Sequence, residues 1–273
     1  MTVIWQPALS DEANRWRSVA ERLTQERFAP LAEELDRAQR YPWENVRALV
    51  EHDLAGLFIP KPYGGQGVDL TTTVAVVEAI ATGCASTAAI LCTYQLGAFP
   101  ILLAGREEQK QRYLGEMAKG VATSFALSER SAGSDAAAIA ATATREGQSE
   151  AQGQSWRLRG EKYWIGNGGA SRYYVVFAKT DPATGARGIS AFMVDKEEPG
   201  AVVDELADKM GIRGTQTSNL RLDVVVPDSA RVGELNRALP LAFKTLDVGR
   251  ALLAAQSLGL ALAAYREASR RAV

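Results

Sequence analysis

The stretch Phe125-Ala126-Leu127-Ser128-Glu129-Arg130-Ser131-Ala132-Gly133-Ser134-Asp135 divides the chain. Before it, apolar residues recur at helical spacing; after it, they alternate as in strands. Its first part, Phe125 to Ser128, alternates apolar and small residues like the end of a half-buried strand. Its second part, Ser131 to Asp135, is turn chemistry, able to aim backbone N–H groups and hydroxyls at one ligand. The stretch Lys162-Tyr163-Trp164-Ile165-Gly166-Asn167-Gly168-Gly169 repeats the arrangement. There too a strand runs into a glycine-rich turn, with an indole just before the break.

Towards the N-terminus the signals are helical. Ser10 is a good N-cap, with Asp11 and Glu12 in the first turn where the helix dipole favours negative charge. Trp16, Val19, Ala20 and Leu23 follow at helical spacing, and Pro30 marks a break or kink. Pro42 suits the first turn of a helix carrying Trp43, Val46, Leu49 and Val50, with Gly56 as its stop. Lys61 to Leu70 holds three glycines, but their spacing fits neither a P-loop nor Gly-x-Gly-x-x-Gly after a strand, and a tight chain reversal is expected. Thr71 to Ala81 and Ser86 to Ala104 are apolar on most sides and predict central helices. A charged helix from Glu107 to Lys119, closed by Gly120, ends this half.

Beyond Val121, strands of a meander are expected over Ala136–Thr144, Ser155–Ile165, Tyr173–Lys179, Ile189–Asp195 and Leu220–Val226, with Glu146–Gln154 as an exposed hairpin tip. These make an all-β unit of two packed sheets or a flattened barrel. A helix restarts near Ala238, with Pro240 in its first turn, and is apolar around most of its circumference through Leu246, Leu252, Leu253, Leu258, Leu260 and Leu262. Such a helix is expected to be surrounded by others, supplied by residues outside 1–273 or by another chain.

Composition narrows the function classes. The chain has 273 residues, 47% hydrophobic and 23% charged, with 31 basic against 32 acidic side chains. That balance gives no footprint for nucleic acid or a charged membrane surface. Cys84 and Cys92 read as small core residues, and the single histidine, His52, leaves no zinc set of the usual kind. No Gly-x-Ser-x-Gly elbow accompanies His52 for a hydrolase. Met1 to Ser10 lacks the basic start and apolar core of a signal peptide, so a cytoplasmic protein is expected. Outside the C-terminal segment no uncharged apolar run of about 18 residues is expected, and Lys244, Asp247, Arg250 and Arg266 interrupt that segment as a membrane span.

Together the two loops resemble those of the acyl-CoA dehydrogenases. The family pattern is aromatic-x-x-(Thr/Ser)-Glu-x-x-x-Gly-Ser, here Phe125, Ser128-Glu129 and Gly133-Ser134, followed by Trp-Ile-x-Asn-Gly, here Trp164-Ile165-Gly166-Asn167-Gly168. The resemblance runs from the first helices to the last residue. It implies an α+β multidomain fold: an N-terminal helical bundle over 1–120, a middle β-sandwich or barrel with flavin-contacting loops over 121–233, and the beginning of a C-terminal helical bundle over 234–273.

The resemblance also implies a chemistry. Family members dehydrogenate acyl-CoA thioesters between Cα and Cβ: a carboxylate base removes the α-proton and a hydride passes to N5 of FAD, with electrons going on to an electron-transferring flavoprotein or similar acceptor. By resemblance, Phe125, Ala126, Leu127, Ser128, Gly133, Ser134, Trp164, Ile165 and Gly166 form the cofactor-binding set. Ser128 and the backbone around Leu127 would bond the pyrimidine edge of the flavin, and Trp164 would stack on its ring system. Without the resemblance, Ser128 and Ser134 would read as turn hydroxyls and Trp164 as a core residue. Gly166 stands where many members carry Thr or Ser, so a side-chain hydroxyl near N5 is in doubt. Ser134, Asp247, Val248, Gly249 and Arg250 would meet the CoA portion; the alternative for Asp247 and Arg250 is an intrahelical ion pair. The family's base is a Glu further along, or a Glu at the position held here by Gly249, so no catalytic residue is expected within 1–273. The competing readings are an acyl-CoA oxidase or flavin monooxygenase on the same scaffold, and a non-catalytic half-subunit whose partner chain brings the base. Self-association or a partner chain is expected.

Overall fold

The computed structural model describes residues 8–149 and 153–272, so the tip of the expected 146–154 hairpin, the first seven residues and Val273 lie outside the described residues. Ser10 caps the first helix, its hydroxyl accepting the N–H of Ala13 at 3.2 Å. Helix α1 (Asp11–Leu23) buries Ala13, Trp16, Ala20 and Leu23. Pro30 does not end the run. The chain passes through one π-helical turn, Thr24–Phe28, into α2 (Ala29–Ala38), with Pro30 in its first turn. A proline lacks an N–H and crowds the carbonyl four residues back, and a widened turn before it accommodates both.

Helix α3 (Trp43–Glu51) takes Pro42 as its N-cap. It stops at Glu51, not at the expected Gly56, and Asp53 adopts the left-handed conformation after it at φ 60°. Short polar side chains tolerate that region, so no glycine was needed. The 61–70 segment is a chain reversal: the N–H groups of Gln66, Gly67 and Val68 return to the carbonyls of Gly56, Ile59 and Leu57.

Helices α4 (Leu70–Ala81) and α5 (Ala85–Ala104) are central, as their composition predicts. Helix α5 corrects one expectation: its 20 residues carry no charge, and it is long and apolar enough to span a membrane by length and composition. Here it is a core helix, packing Leu91, Tyr94 and Ile101 out of water. The charged run divides into α6 (Glu107–Gln109), a π-helical turn over Lys110–Leu114, and α7 (Gly115–Ala118).

Among the described residues eight strands follow: β1 (Thr123–Ala126), β2 (Thr142–Ser149), β3 (Gly153–Ile165), β4 (Tyr173–Lys179), β5 (Ile189–Asp195), β6 (Ala201–Leu206), β7 (Ser218–Pro227) and β8 (Arg231–Val232). Their order is β6-β7-β3-β2-β4-β5-β8, with β1 beside β4. This is not a meander, because β1 and β2 both pair parallel to β4. The expected strand over 136–144 begins only at Thr142; Ala136–Ala138 is a turn of 3-10 helix. Strand β6, short and exposed along most of its length, offered no alternating pattern to read.

The single pair Thr142–Lys179 joins β2 to β4, and the sheet folds over at this point. Trp156 of β3 and Phe192 of β5 then meet at a ring-centroid distance of 5.6 Å across the enclosed core. Residues 173–178 of β4 are buried on both faces: Tyr174, Val176 and Ala178 lie in the core between the two halves, while Tyr173, Val175 and Phe177 pack on the helical layer. That is why β4 reads as a continuous apolar run.

Helix α8 (Ala238–Arg271) crosses α4 and α5. Two glycines permit the approach: a Cβ at Gly249 would stand 2.6 Å from Leu96 Cδ2, and one at Gly259 only 2.3 Å from the carbonyl oxygen of Glu78. The opposite side of α8 is open, with Leu253 and Leu258 each 58% exposed. By length and composition α8 also qualifies as a candidate span despite its charges.

Candidate functional site

The two glycine-bearing loops and helices α5 and α8 enclose a cleft of about 410 Å³. The first loop contributes Phe125, Leu127, Ser128, Gly133 and Ser134, the second Trp164 and Gly166, and α8 contributes Arg250. All of these were singled out in the sequence. Ala126 and Ile165 were too, but their side chains pack in the core between the sheet halves. Of the α8 residues, Val248 packs on the helical core and Gly249 abuts Leu96. Asp247 does not line the cleft; it is 69% exposed and forms an i,i+3 ion pair with Arg250.

Sequence reasoning missed Thr93, Leu96, Ala136, Phe243 and Leu246, which complete the wall. Thr93 and Leu96 sit on a helix read only as core, and nothing local in their spacing marks them. Phe243, 45% exposed on α8, differs from its apolar neighbours only by its orientation, which no periodicity reveals.

Strand β3 delivers Trp164 to the cleft and a dense set of anchors fixes the turn that follows. Trp164 is 73% exposed and has φ 54°, a left-handed conformation that is unfavourable for a bulky side chain. Its N–H donates to Asn219 Oδ1 at 3.2 Å. Behind it, Ser124 of β1, fully buried, donates its hydroxyl to the Gly166 carbonyl at 2.7 Å and lies 2.7 Å from Ser171 Oγ. Tyr174 donates its hydroxyl to the Gly168 carbonyl at 2.7 Å, and Asn167, with φ 56°, donates its amide to the Ile90 carbonyl of α5 at 3.3 Å. One turn is thus tied to both strand layers and to a helix. The tryptophan is held outward by its surroundings rather than by its own preference.

The first loop is fixed by a buried ion pair. Lys162 Nζ, with no solvent exposure, donates to Glu129 Oε1 at 2.6 Å and to the Leu127 carbonyl at 3.1 Å. Glu129 also accepts the N–H groups of Ala140 at 2.5 Å and Ala141 at 3.1 Å. Loss of water around Lys162 pulls its pKa down to about 8, against the opposing pull of Glu129. Glu78, a carboxylate of α4, pairs with Arg17 at 3.4 Å and does not line the cleft.

No Asp or Glu side chain is among the residues lining the cleft. The lining consists of one exposed indole, apolar side chains, Thr93, Ser128, Ser134 and Arg250. Neither serine hydroxyl donates to another group among the described residues, and a Cβ at Gly133 would meet nothing within 4 Å. Such a set suits a flat aromatic ligand that accepts hydrogen bonds along one edge.

Over most of its length the chain is similar to known proteins. Residues 10–121 match the acyl-CoA dehydrogenase N-terminal domain, and residues 124–225 match the acyl-CoA dehydrogenase middle domain. A probable acyl-CoA dehydrogenase of Mycobacterium tuberculosis is 40% identical over 255 residues, covering 93% of this chain and 64% of that protein. The short-chain specific acyl-CoA dehydrogenase of Clostridium acetobutylicum is 36% identical over 263 residues, covering 95% of this chain and 68% of that one. The butyryl-CoA dehydrogenase structure from Megasphaera elsdenii superposes with a TM-score of 0.91 at 34% identity, covering 97% of this chain and 70% of that chain. The chain therefore spans about two thirds of the length of these relatives, and over that span it belongs to the acyl-CoA dehydrogenase family.

Proposed function

We propose that the protein is a cytoplasmic FAD-dependent acyl-CoA dehydrogenase, forming the 2-enoyl-CoA from an acyl-CoA thioester and passing electrons to an electron-transferring flavoprotein or similar acceptor. The observation that carries this reading is that the exposed Trp164 and the serines Ser128 and Ser134 line one and the same cleft. Bound there, FAD would supply the two-electron acceptor for the β-hydride. The residues present would do the rest of the holding. Trp164 would cover one face of the ring and exclude water, and Ser128 would donate to the pyrimidine edge where negative charge gathers on reduction. Arg250, which lines the cleft with its side chain 69% exposed, would meet the thioester's CoA portion together with Ser134. The α-proton must be taken by a carboxylate that does not line the cleft among the described residues. The open side of α8, with Leu253, Leu258 and Leu260 exposed, supports association with a second copy or with further helices.

The test is spectroscopic. The purified protein should carry a flavin absorbance band, and anaerobic addition of butyryl-CoA, in the presence of the further segment or partner chain that brings the base, should bleach it with formation of the enoyl product. A protein that neither retains added FAD nor bleaches with any acyl-CoA removes the reading. Fast reoxidation of the bleached, product-bound form by air would replace a dehydrogenase with an oxidase.

A further inference from the structure

The buried pair behind the first loop has a consequence for the cleft itself, given the flavin reading above. Leu127 and Ser128 share a trans peptide, as no cis bond occurs among the described residues. In a trans unit the C=O and N–H point in opposite directions. Lys162 holds the Leu127 carbonyl towards the interior at 3.1 Å, so the Ser128 N–H is turned the other way, to the side on which Ser128 lines the cleft. That N–H donates to no group among the described residues. The rest of the loop is satisfied inwards: the Ser128 carbonyl accepts from Tyr163 N–H at 2.8 Å, and Glu129 N–H donates to the Ala132 carbonyl at 3.0 Å.

We propose that Lys162 is a positioning residue of the cofactor site: its ammonium orients and polarises the Leu127–Ser128 peptide so that the Ser128 N–H stands in the cleft as a strengthened donor to the flavin. A cation on the carbonyl oxygen withdraws electron density from the whole amide, and bonds in series reinforce one another where the dielectric is low. Glu129 keeps the ammonium buried and charged, and is itself held by two backbone N–H groups. The lowered pKa of Lys162 marks how strongly its surroundings resist that charge. An aliphatic residue would fill the same space without the desolvation penalty, and a fixed charge aimed at the peptide explains why a lysine stands there.

A donor strengthened in this way favours reduced over oxidised flavin, because negative charge gathers at the edge it faces on reduction. The experiment compares wild type with Lys162→Met, which removes the cation, and Lys162→Gln, which keeps a neutral donor. The reduction potential of bound FAD is read by dye equilibration. In Lys162→Met the preference for reduced flavin should fall about tenfold, about 30 mV for a two-electron couple. Lys162→Gln should fall between the two. If Lys162→Met does not fold, Lys162→Met with Glu129→Gln removes both charges and leaves no lone buried ion. A potential unchanged in folded, flavin-loaded variants overturns the proposal. Failure of the wild type to bind FAD would instead sink the functional reading. The Ser128 amide proton resonance of the flavin-free protein would still decide this one: it should move upfield in Lys162→Met, and an unmoved resonance refutes it.

Discussion

Trp164 offers a test in which stability and ligand binding move in opposite directions. The residue sits at φ 54° with its indole 73% exposed, so it gives the folded chain little burial while holding an unfavourable backbone. The left-handed region costs an ordinary residue about 1–2 kcal/mol, whereas glycine enters it freely and loses about 0.5–1 kcal/mol through its greater freedom when unfolded. Trp164→Gly should therefore be more stable than Trp164→Ala by roughly 0.5–1 kcal/mol, the reverse of the usual order. Urea unfolding of the two variants measures this. Binding should respond to the indole alone. Covering about 80 Å² of apolar ring face at about 25 cal/mol per Å² is worth about 2 kcal/mol. Both variants should then release FAD about 30-fold more readily, at about 1.4 kcal/mol per factor of ten. Flavin fluorescence titration reads the dissociation constant. If both variants fold and bind FAD as tightly as wild type, Trp164 does not cover the ring. If the alanine variant is the more stable, the backbone argument fails independently.

Gly97→Ala should destabilise the protein by about 3 kcal/mol or prevent folding, because the added Cβ would lie 2.1 Å from the Thr123 carbonyl oxygen of β1; a normal urea midpoint would contradict this. Ser124→Ala leaves the Gly166 carbonyl and Ser171 hydroxyl without their buried partner and should cost about 1–3 kcal/mol in unfolding free energy, with a raised FAD dissociation constant as the second turn loosens. Lys162 gives a pH signature. Its folded pKa of about 8 lies below the unfolded value of about 10.4, so its penalty is full below pH 8 and is relieved between about pH 8 and 10, where the unfolded chain binds more protons. Wild type should gain stability relative to Lys162→Met across that window, and a flat difference would show the lysine keeps an ordinary pKa. Gly166→Ser should crowd Thr93, whose Oγ1 lies 3.3 Å from the new Cβ, and Thr93→Ala should relieve it with a coupling of about 1 kcal/mol in a double-mutant cycle; strict additivity would place the two residues apart.

Much of the fold was legible because its signals are local. Ser10 caps a helix wherever that helix later packs, and the apolar run of β4 records burial on two faces without saying by what. The misreadings have physical causes of the same kind. Pro30 predicts a break or kink where the helix widens by one turn and continues, and Gly56 predicts a stop that comes earlier, with Asp53 in the left-handed conformation. The uncharged length of α5 is ambiguous in sequence because composition does not distinguish a core helix from a membrane span.

The site divides along the same line. Both loops carry their signature in contiguous residues, because a turn that presents hydroxyls and N–H groups needs small and polar residues in immediate succession. The remaining wall comes from α5 and α8, where chemistry depends on which side of a helix faces the loops. Thr93 enters the cleft because Gly166 leaves room beside it, and Leu96 enters because Gly249 lets α8 come close. In each case a glycine in one element determines what a residue far away in the sequence can reach. The Lys162 pair follows this logic from beneath the surface. Lysine near the end of a strand reads as an ordinary solvent-facing residue, and only the fold shows that its charge is buried against the Leu127 carbonyl, behind the first loop of the cleft. A chain can announce where a ligand will lie; the residues that tune how strongly it is held are written in contacts between elements.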